Sequence, residues 1–433
     1  MAESTVSKRK SWGEAVAVYF EPRQLIILIM GFASGLPLLL TLSTLSYWLT
    51  KSGIDRTTIG LFAFAGTPYT FKFLWAPFID QAPLPLLTRL LGRRKGWLFP
   101  IQLLLAGAIF ALGVTDPAID PQLTALVVLA VAFMSASQDI VIDAYRIEIL
   151  DAEEQGAGAA TTQVGYRIGL LLAGAGAIAL SDFASWTAVF GVLALAILAC
   201  ALFTLFIPEP KVNRPPLAND YAAWIEAAAV RPFLEFAQRR GWVVILLFVL
   251  LYKFGDAYGG LMANPFYVDL GFSGVEIAAI TKIYGILATV VGGLFGGIVV
   301  VRIGLFRTLM IGGVLQAVSN LLFSVLAMRG HDLLWLGIAI TGDNLAGGVA
   351  SAAFVGYLSS LCNRAFTATQ YALLTSFMSF GRTAMSSTSG WLSDHLDWAT
   401  FWAATSAMAI PGLILLVWLM RLYPDEKHMA GKP

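Results

Sequence analysis

The chain is short of charge. Asp, Glu, Lys and Arg make up 13% of it, against about 25% in an ordinary soluble domain. This argues against a solvated globular protein. The 28 basic residues nearly balance the 27 acidic ones, for a net charge of +1. There is therefore no basic surface of the kind that grips phosphates, and no nucleic-acid partner is expected. The three histidines, His331, His395 and His428, fall at loop or tail positions. The two cysteines, Cys200 and Cys362, stand singly in or beside apolar segments, as small packing residues do. Scattered in this way they supply no disulfide framework, no metal site and no nucleophile–base pair. No enzyme activity, catalytic residue, metal or cofactor is expected. The phosphate-loop pattern G-x-x-x-x-G-K-[ST] is also missing, so an ion gradient rather than ATP must supply any energy the protein uses. Residues 1–20 hold no apolar core or small-residue cleavage site, so a cleaved signal peptide is not expected.

What the chain has in excess is apolar length, with 58% of its residues hydrophobic. A helix that crosses a bilayer needs about 20 such residues. Apolar segments of that size run near 24–50, 57–80, 97–115, 121–148, 160–180 and 184–207. Six more lie near 241–266, 274–301, 306–328, 333–360, 367–390 and 398–422. The one long polar break, 208–240, contains Pro208, Pro210, Pro215 and Pro216, and 222–240 within it reads as an amphipathic surface helix. The predicted organisation is a cytoplasmic segment 1–23, a six-helix half 24–207, a linker 208–240, a second half 241–422 and a tail 423–433. Nineteen of the 28 basic residues fall on one side of this arrangement, three on the other and six within spans. That bias places both termini in the cytoplasm.

The halves echo each other. Gln155 precedes Arg167 by twelve residues in the fifth span, and Gln370 precedes Arg382 by the same interval in the eleventh. Ser137-Gln138-Asp139-Ile140 in the fourth span is matched by Thr341-Gly342-Asp343-Asn344 in the tenth. Two related six-helix halves joined by a cytoplasmic linker resemble the major facilitator superfamily, whose binding sites lie at the midplane between parallel repeats. The expected fold is thus an all-α integral membrane protein of twelve transmembrane helices.

Charge inside the spans marks the candidate site. Asp139, Asp143 and Arg146 sit in the apolar stretch 123–150, where each charge costs about 2.5–3.5 kcal/mol at mid-membrane on insertion scales. Asp139 and Asp143 share a helical face. Lys72, Arg167, Lys253, Asp256, Lys282, Asp343 and Arg382 complete the set over both halves. So many charges predict a polar central cavity. The basic residues would hold an anionic solute, and Asp139, Asp143 and Asp343 would load and release protons. Lys253 and Asp256, three apart, would also pair locally. Arg146 and Glu148, near a span end, are expected to snorkel. Tyr69 and Tyr145 offer rings and hydroxyls to a ligand, and Gln138, Gln163 and Asn344 offer amides. Tyr47 and Trp48 read as interfacial belt residues. The glycine-rich runs 169–176 and 292–297 read as close-packing surfaces.

Three strings carry a family resemblance: Phe73-Leu74-Trp75-Ala76-Pro77-Phe78-Ile79-Asp80, Gly92-Arg93-Arg94-Lys95-Gly96-Trp97, and 137–146. With them the chain resembles the AmpG muropeptide permease family along its whole length, most closely in the first half. The resemblance implies a proton-driven permease of the bacterial inner membrane. Such permeases bring GlcNAc-1,6-anhydroMurNAc peptides from periplasm to cytoplasm for peptidoglycan recycling, and so feed the signal for β-lactamase induction. It also implies a cytoplasmic latch between Asp80 and Arg93, a monomer, and stem-peptide carboxylates bound by Lys72, Arg167, Lys282 or Arg382. Two other readings stay open: a carrier of another bulky anion such as acyl-coenzyme A, and a non-transporting sensor on the same scaffold.

Overall fold

The two parts of the chain start their helices with the same devices at matching places, glycine turns or capping side chains that satisfy free amide groups. The computed structural model describes residues 11–54, 58, 62–212, 226, 230–386 and 388–424. Gly92 (φ +94°) and Gly304 (φ +93°) precede helices Arg93–Val114 and Leu305–Arg329. Such left-handed backbone suits glycine, which has no Cβ to clash. Asp120 caps Pro121–Ile149 by accepting from the Leu123 amide, and Asp332 caps Leu333–Ser360 through the amides of Leu334 and Trp335. Ser185 and Asp397 cap Trp186–Phe206 and Trp398–Ala407. These are the third and ninth, fourth and tenth, and sixth and twelfth of the expected spans. The internal repeat therefore extends to how helices start.

Among the described residues ten helical stretches are long and apolar enough to cross a membrane, the first Pro22–Lys51 and the last Trp398–Leu422. The two expected spans outside that set are 57–80 and 367–390. Where described, the first is broken into short helices, Thr67–Phe71 and Ala76–Gln81, around a tight turn at Lys72–Leu74. The second is a helix over Thr367–Ser386 that carries Thr369, Gln370, Thr375, Ser376, Ser379 and Arg382. Both segments border the interior space described below, where irregular backbone and polar side chains meet polar neighbours instead of lipid.

Two large apolar cores each draw mainly on one half, with Ala368 and Ala372 joining the first and Ile147 the second. Leu36, Val128, Val131, Phe190 and Ile197 belong to the first, and Phe248, Phe354, Tyr357 and Leu416 to the second. The outward faces are apolar as well, with Leu126, Leu195, Phe206, Leu287, Val291 and Trp418 exposed, as a lipid-facing surface requires. Trp48 departs from the belt expectation. It is 3% exposed and packs on Trp186 and Phe190, with ring centroids 5.7 and 5.1 Å away. An apolar pocket on the neighbouring helix was available to it, and burial of a large ring outweighs the interfacial preference. Of the expected surface helix 222–240, the described part is helix Arg231–Ala237. Residues 1–10, 213–225, 227–229 and 425–433 lie outside the described residues, as does the side chain of Lys282.

Candidate functional site

Glycines set the geometry of the interior. A Cβ on Gly35 would stand 2.2 Å from the Tyr166 carbonyl oxygen, and one on Gly165 would stand 2.0 Å from that of Leu28. Helices Pro22–Leu40 and Gln155–Leu171 thus meet backbone to backbone, which brings Ser34 and Tyr166 to one space. Helix Pro121–Ile149 adds Asp139, and the broken segment adds Tyr69 and Lys72. The result is a cavity of about 210 Å³ lined by Ser34, Leu38, Tyr69, Lys72, Asp139, Tyr166, Thr375 and Ser379. The last two come from Thr367–Ser386, so the cavity lies between the halves. Asp139 accepts a 2.6 Å hydrogen bond from Ser34 Oγ, and Lys72 Nζ stands 3.7 Å from Asp143. The Tyr69 hydroxyl is buried beside Ser135 and Thr41.

The second half holds a parallel cluster. Lys253 Nζ donates to Ser351 Oγ at 2.7 Å and lies 3.8 Å from Asp256, the expected local pair. Ser319 Oγ donates to Asp343 at 3.5 Å, and Asp343 feels the charges of Asp256 and Lys253. Each cluster therefore contains one lysine, two aspartates and a serine bonded to one of them. The arginines differ from the lysines. Among the described residues, neither Arg167 nor Arg382 has a carboxylate within 4.0 Å, although Arg382 feels the charges of Lys253 and Asp256. Arg167 Nε is buried without a hydrogen-bond partner among the described residues, and Arg382 is exposed.

Several expected ligand residues are occupied elsewhere. Tyr145 is fully buried and donates to the Pro208 carbonyl at 2.7 Å. Gln138 donates from Nε2 to Ala33 O at 2.9 Å. Asn344 donates to Ile340 O at 2.9 Å and accepts from Thr289 Oγ1 at 2.6 Å. All three hold helices together, and none lines the cavity. Gln163 is half-buried on Gln155–Leu171 and also lies outside the cavity lining.

At the end of the bundle rich in lysine and arginine the halves are joined. Asp80 and Arg93 pair at 3.2 Å. The pair belongs to a larger network. Arg94, 1% exposed, is bound by Glu148 at 2.6 and 3.0 Å and by Asp80 at 2.9 Å. Asp80 also accepts from the Thr369 amide and hydroxyl, each at 3.2 Å, across the seam. Glu148 does not snorkel, because two guanidinium groups already satisfy it in the interior. Arg146 is buried as well, with Nη1 donating to Ser359 Oγ of the second half at 3.1 Å. Tight glycine contacts complete the closure. A Cβ on Gly156 would meet Val300 Cβ at 2.6 Å, and one on Gly297 would lie 3.0 Å from Ala157 Cα. Tyr19 of the N-terminal segment donates to Leu294 O at 2.8 Å, strapping that segment to the second half. Sequence reasoning missed Arg94 and Glu148 as interior groups and expected Arg146, placed within a span, to snorkel. Their signal was the basic doublet at 93–94 and two charges at the end of an apolar run.

Known proteins fit this geometry. The Major Facilitator Superfamily profile matches residues 27–341 and 254–432. The anhydromuropeptide permease of Escherichia coli strain K12 is 41% identical over 402 residues, 92% of this chain and 80% of that protein. The transporter AmpG 4 of Rickettsia conorii is 37% identical over 405 residues, 93% and 97% of the two chains. Among solved structures, the proton:xylose symporter XylE superposes with a TM-score of 0.65 at 12% identity, covering 96% of this chain and 98% of its own. The transporter FucP in its outward conformation gives 0.67 at 13% identity, covering 93% and 99%.

Proposed function

The chain belongs to the major facilitator superfamily and, within it, to the AmpG muropeptide permeases, and from that premise we propose that it imports GlcNAc-1,6-anhydroMurNAc peptides from periplasm to cytoplasm, driven by protons. In this reading twelve spans cross the bacterial inner membrane, both termini and the linker 208–240 are cytoplasmic, and the monomer is the working unit. The halves 24–207 and 241–422 rock about the central cavity.

The observation that carries the reading is the division of labour among interior charges. Lys72 and Lys253 already face carboxylates at 3.7 and 3.8 Å. Arg167 and Arg382, one per half, have none within 4.0 Å among the described residues. Unengaged guanidinium groups are suited to fork onto the stem-peptide carboxylates. Asp139, held by Ser34 and facing the cavity, is the group placed to take a proton in sight of the ligand, with Asp143 and Asp343 as further carriers. Tyr69 and Tyr166 offer ring faces and hydroxyls to a sugar. The cavity of about 210 Å³ is below the range of about 300–1,000 Å³ typical for drug-sized ligands. It takes one part of such a glycopeptide, and the rest needs the space that opens as the halves separate.

With the end bearing Asp80 and Thr369 closed, the structure corresponds in this reading to a state shut toward the cytoplasm. The test is uptake of radiolabelled GlcNAc-anhydroMurNAc-tripeptide into proteoliposomes, with and without an inward proton gradient. Gradient-driven accumulation that disappears in Asp139→Asn supports substrate and coupling together. No uptake by folded protein rejects the muropeptide assignment and turns attention to acyl-coenzyme A or to a sensor without flux.

A further inference from the structure

A guanidinium keeps its proton at any accessible pH, so Arg146 carries a full positive charge into a place where it is 1% exposed. Its compensation there is sparse. Nη1 donates to Ser359 Oγ at 3.1 Å, Cζ stands 5.4 Å from the centre of the Tyr371 ring, and Nη2 lies 3.9 Å from Asp143 Oδ1. Among the described residues, Nε and Nη2 have no hydrogen-bond partner. Ser359 and Tyr371 belong to the second half, whereas Arg146 and Asp143 belong to the first, so the guanidinium is a plug seated across the seam. Among the described residues, Asp143 is the one carboxylate within 4.0 Å of it. Asp143 in turn stands 3.7 Å from Lys72, which lines the cavity with Asp139. The other titratable groups facing this pair are Asp139 on the same helix and Tyr371 and Cys362 on the second half. Cys362 also feels Asp80 and Arg239 at the gate.

We infer that Arg146 is a positioning residue that ties the closed seam to the charge of the cavity: the seam holds shut while Asp143 is ionised, and neutralising Asp143 releases the guanidinium and opens the basic end. A buried cation stripped of its one counter-charge is strongly disfavoured. Hydration relieves it, and on this side water reaches Arg146 when the halves part. A proton arriving from the cavity at Asp143 would therefore open the opposite end of the pathway, as alternating access requires. This role rests on the transport reading above and gives it a link from proton binding to gate.

The test is a double-mutant cycle on the full chain in lipid nanodiscs, read by distances between spin labels. The labels go at Arg89→Cys and Arg307→Cys, exposed sites at the basic end of each half, with Cys200 and Cys362 replaced by serine. Asp143→Asn is expected to raise the separated population roughly tenfold or more. In an Arg146→Gln background the same change should move it less than twofold. If folded Asp143→Asn keeps the wild-type distances, or if its effect is equal in both backgrounds, the inference is wrong. Should Arg146→Gln fail to fold, the pair Ser359→Ala and Tyr371→Leu removes the seat in the second half while keeping the charge. That background must also reduce the Asp143→Asn effect below threefold. These distances are read without substrate, so failed muropeptide uptake would remove the substrate reading and leave this link standing. Normal uptake with additive mutants would do the reverse.

Discussion

Asp80→Ala separates two roles that one carboxylate plays. Its bonds to Arg93 and Arg94 lie within the first half and travel with it, so they cancel between the open and closed states. Its two bonds to Thr369, each 3.2 Å, exist with the seam closed. A hydrogen bond to a charged group contributes about 1.5–3 kcal/mol. At these lengths the lower figure applies, giving about 3 kcal/mol in favour of closure. That corresponds to a shift of roughly 150-fold toward the open state when both are lost. Thr369→Val removes the hydroxyl and keeps the amide, so its shift should be roughly tenfold. A cysteine at Ala372, 2% exposed and packed against the first half, reports the equilibrium, because maleimide reaches it in the open state. Its alkylation rate should rise by these factors in a background lacking Cys200 and Cys362. The intra-half loss appears separately, as a thermal destabilisation of about 3–5 kcal/mol from uncompensated buried charge. A rise of less than threefold in folded Asp80→Ala would show that Thr369 does not hold the seam.

Tyr19→Phe removes the strap bond to Leu294 O and should raise the same alkylation rate roughly 2- to 10-fold; an unchanged rate means the N-terminal segment merely rests on the second half. Arg167→Ala and Arg382→Ala should each raise the KM for muropeptide uptake roughly 10- to 100-fold, with lysine restoring part of the loss. If kcat falls and KM stays constant, these arginines do not hold the ligand. Outside the membrane, Asp397 accepts from the Thr400 amide and hydroxyl at 3.0 and 2.7 Å, and these bonds hold its carboxyl below the usual range. A carboxyl depressed in the folded state adds stability above its unfolded pKa of about 3.9, and that stability is lost as the pH falls through the lower folded value. The difference in thermal unfolding between wild type and Asp397→Ala should thus be constant from pH 7 to 5 and shrink below about pH 4. A difference undiminished at pH 2 would remove the carboxylate from the explanation.

Local sequence was enough for what local physics decides. Apolar length marked the long helices. The Asp80–Arg93 pairing and the similarity of the halves were also legible, because the motif strings and the matching intervals are written along the chain. The two segments that hydropathy treats as ordinary spans, 57–80 and 367–390, both proved to border the cavity. Their polar side chains and broken backbone are tolerated because they face the interior. Other assignments depended on partners far away in the chain. Arg146 looked free to snorkel until helix packing set it against Ser359, 213 residues distant. Tyr145 and Gln138 looked like ligand groups until their partners proved to be the carbonyls of Pro208 and Ala33. Sequence placed the six interior cations within spans and paired Lys253 with Asp256, but it did not say which of the others are paired. A charge is neutralised by whatever lies within about 4 Å of it, and that distance is set by how closely glycine-bearing helices approach, a property of the assembled bundle.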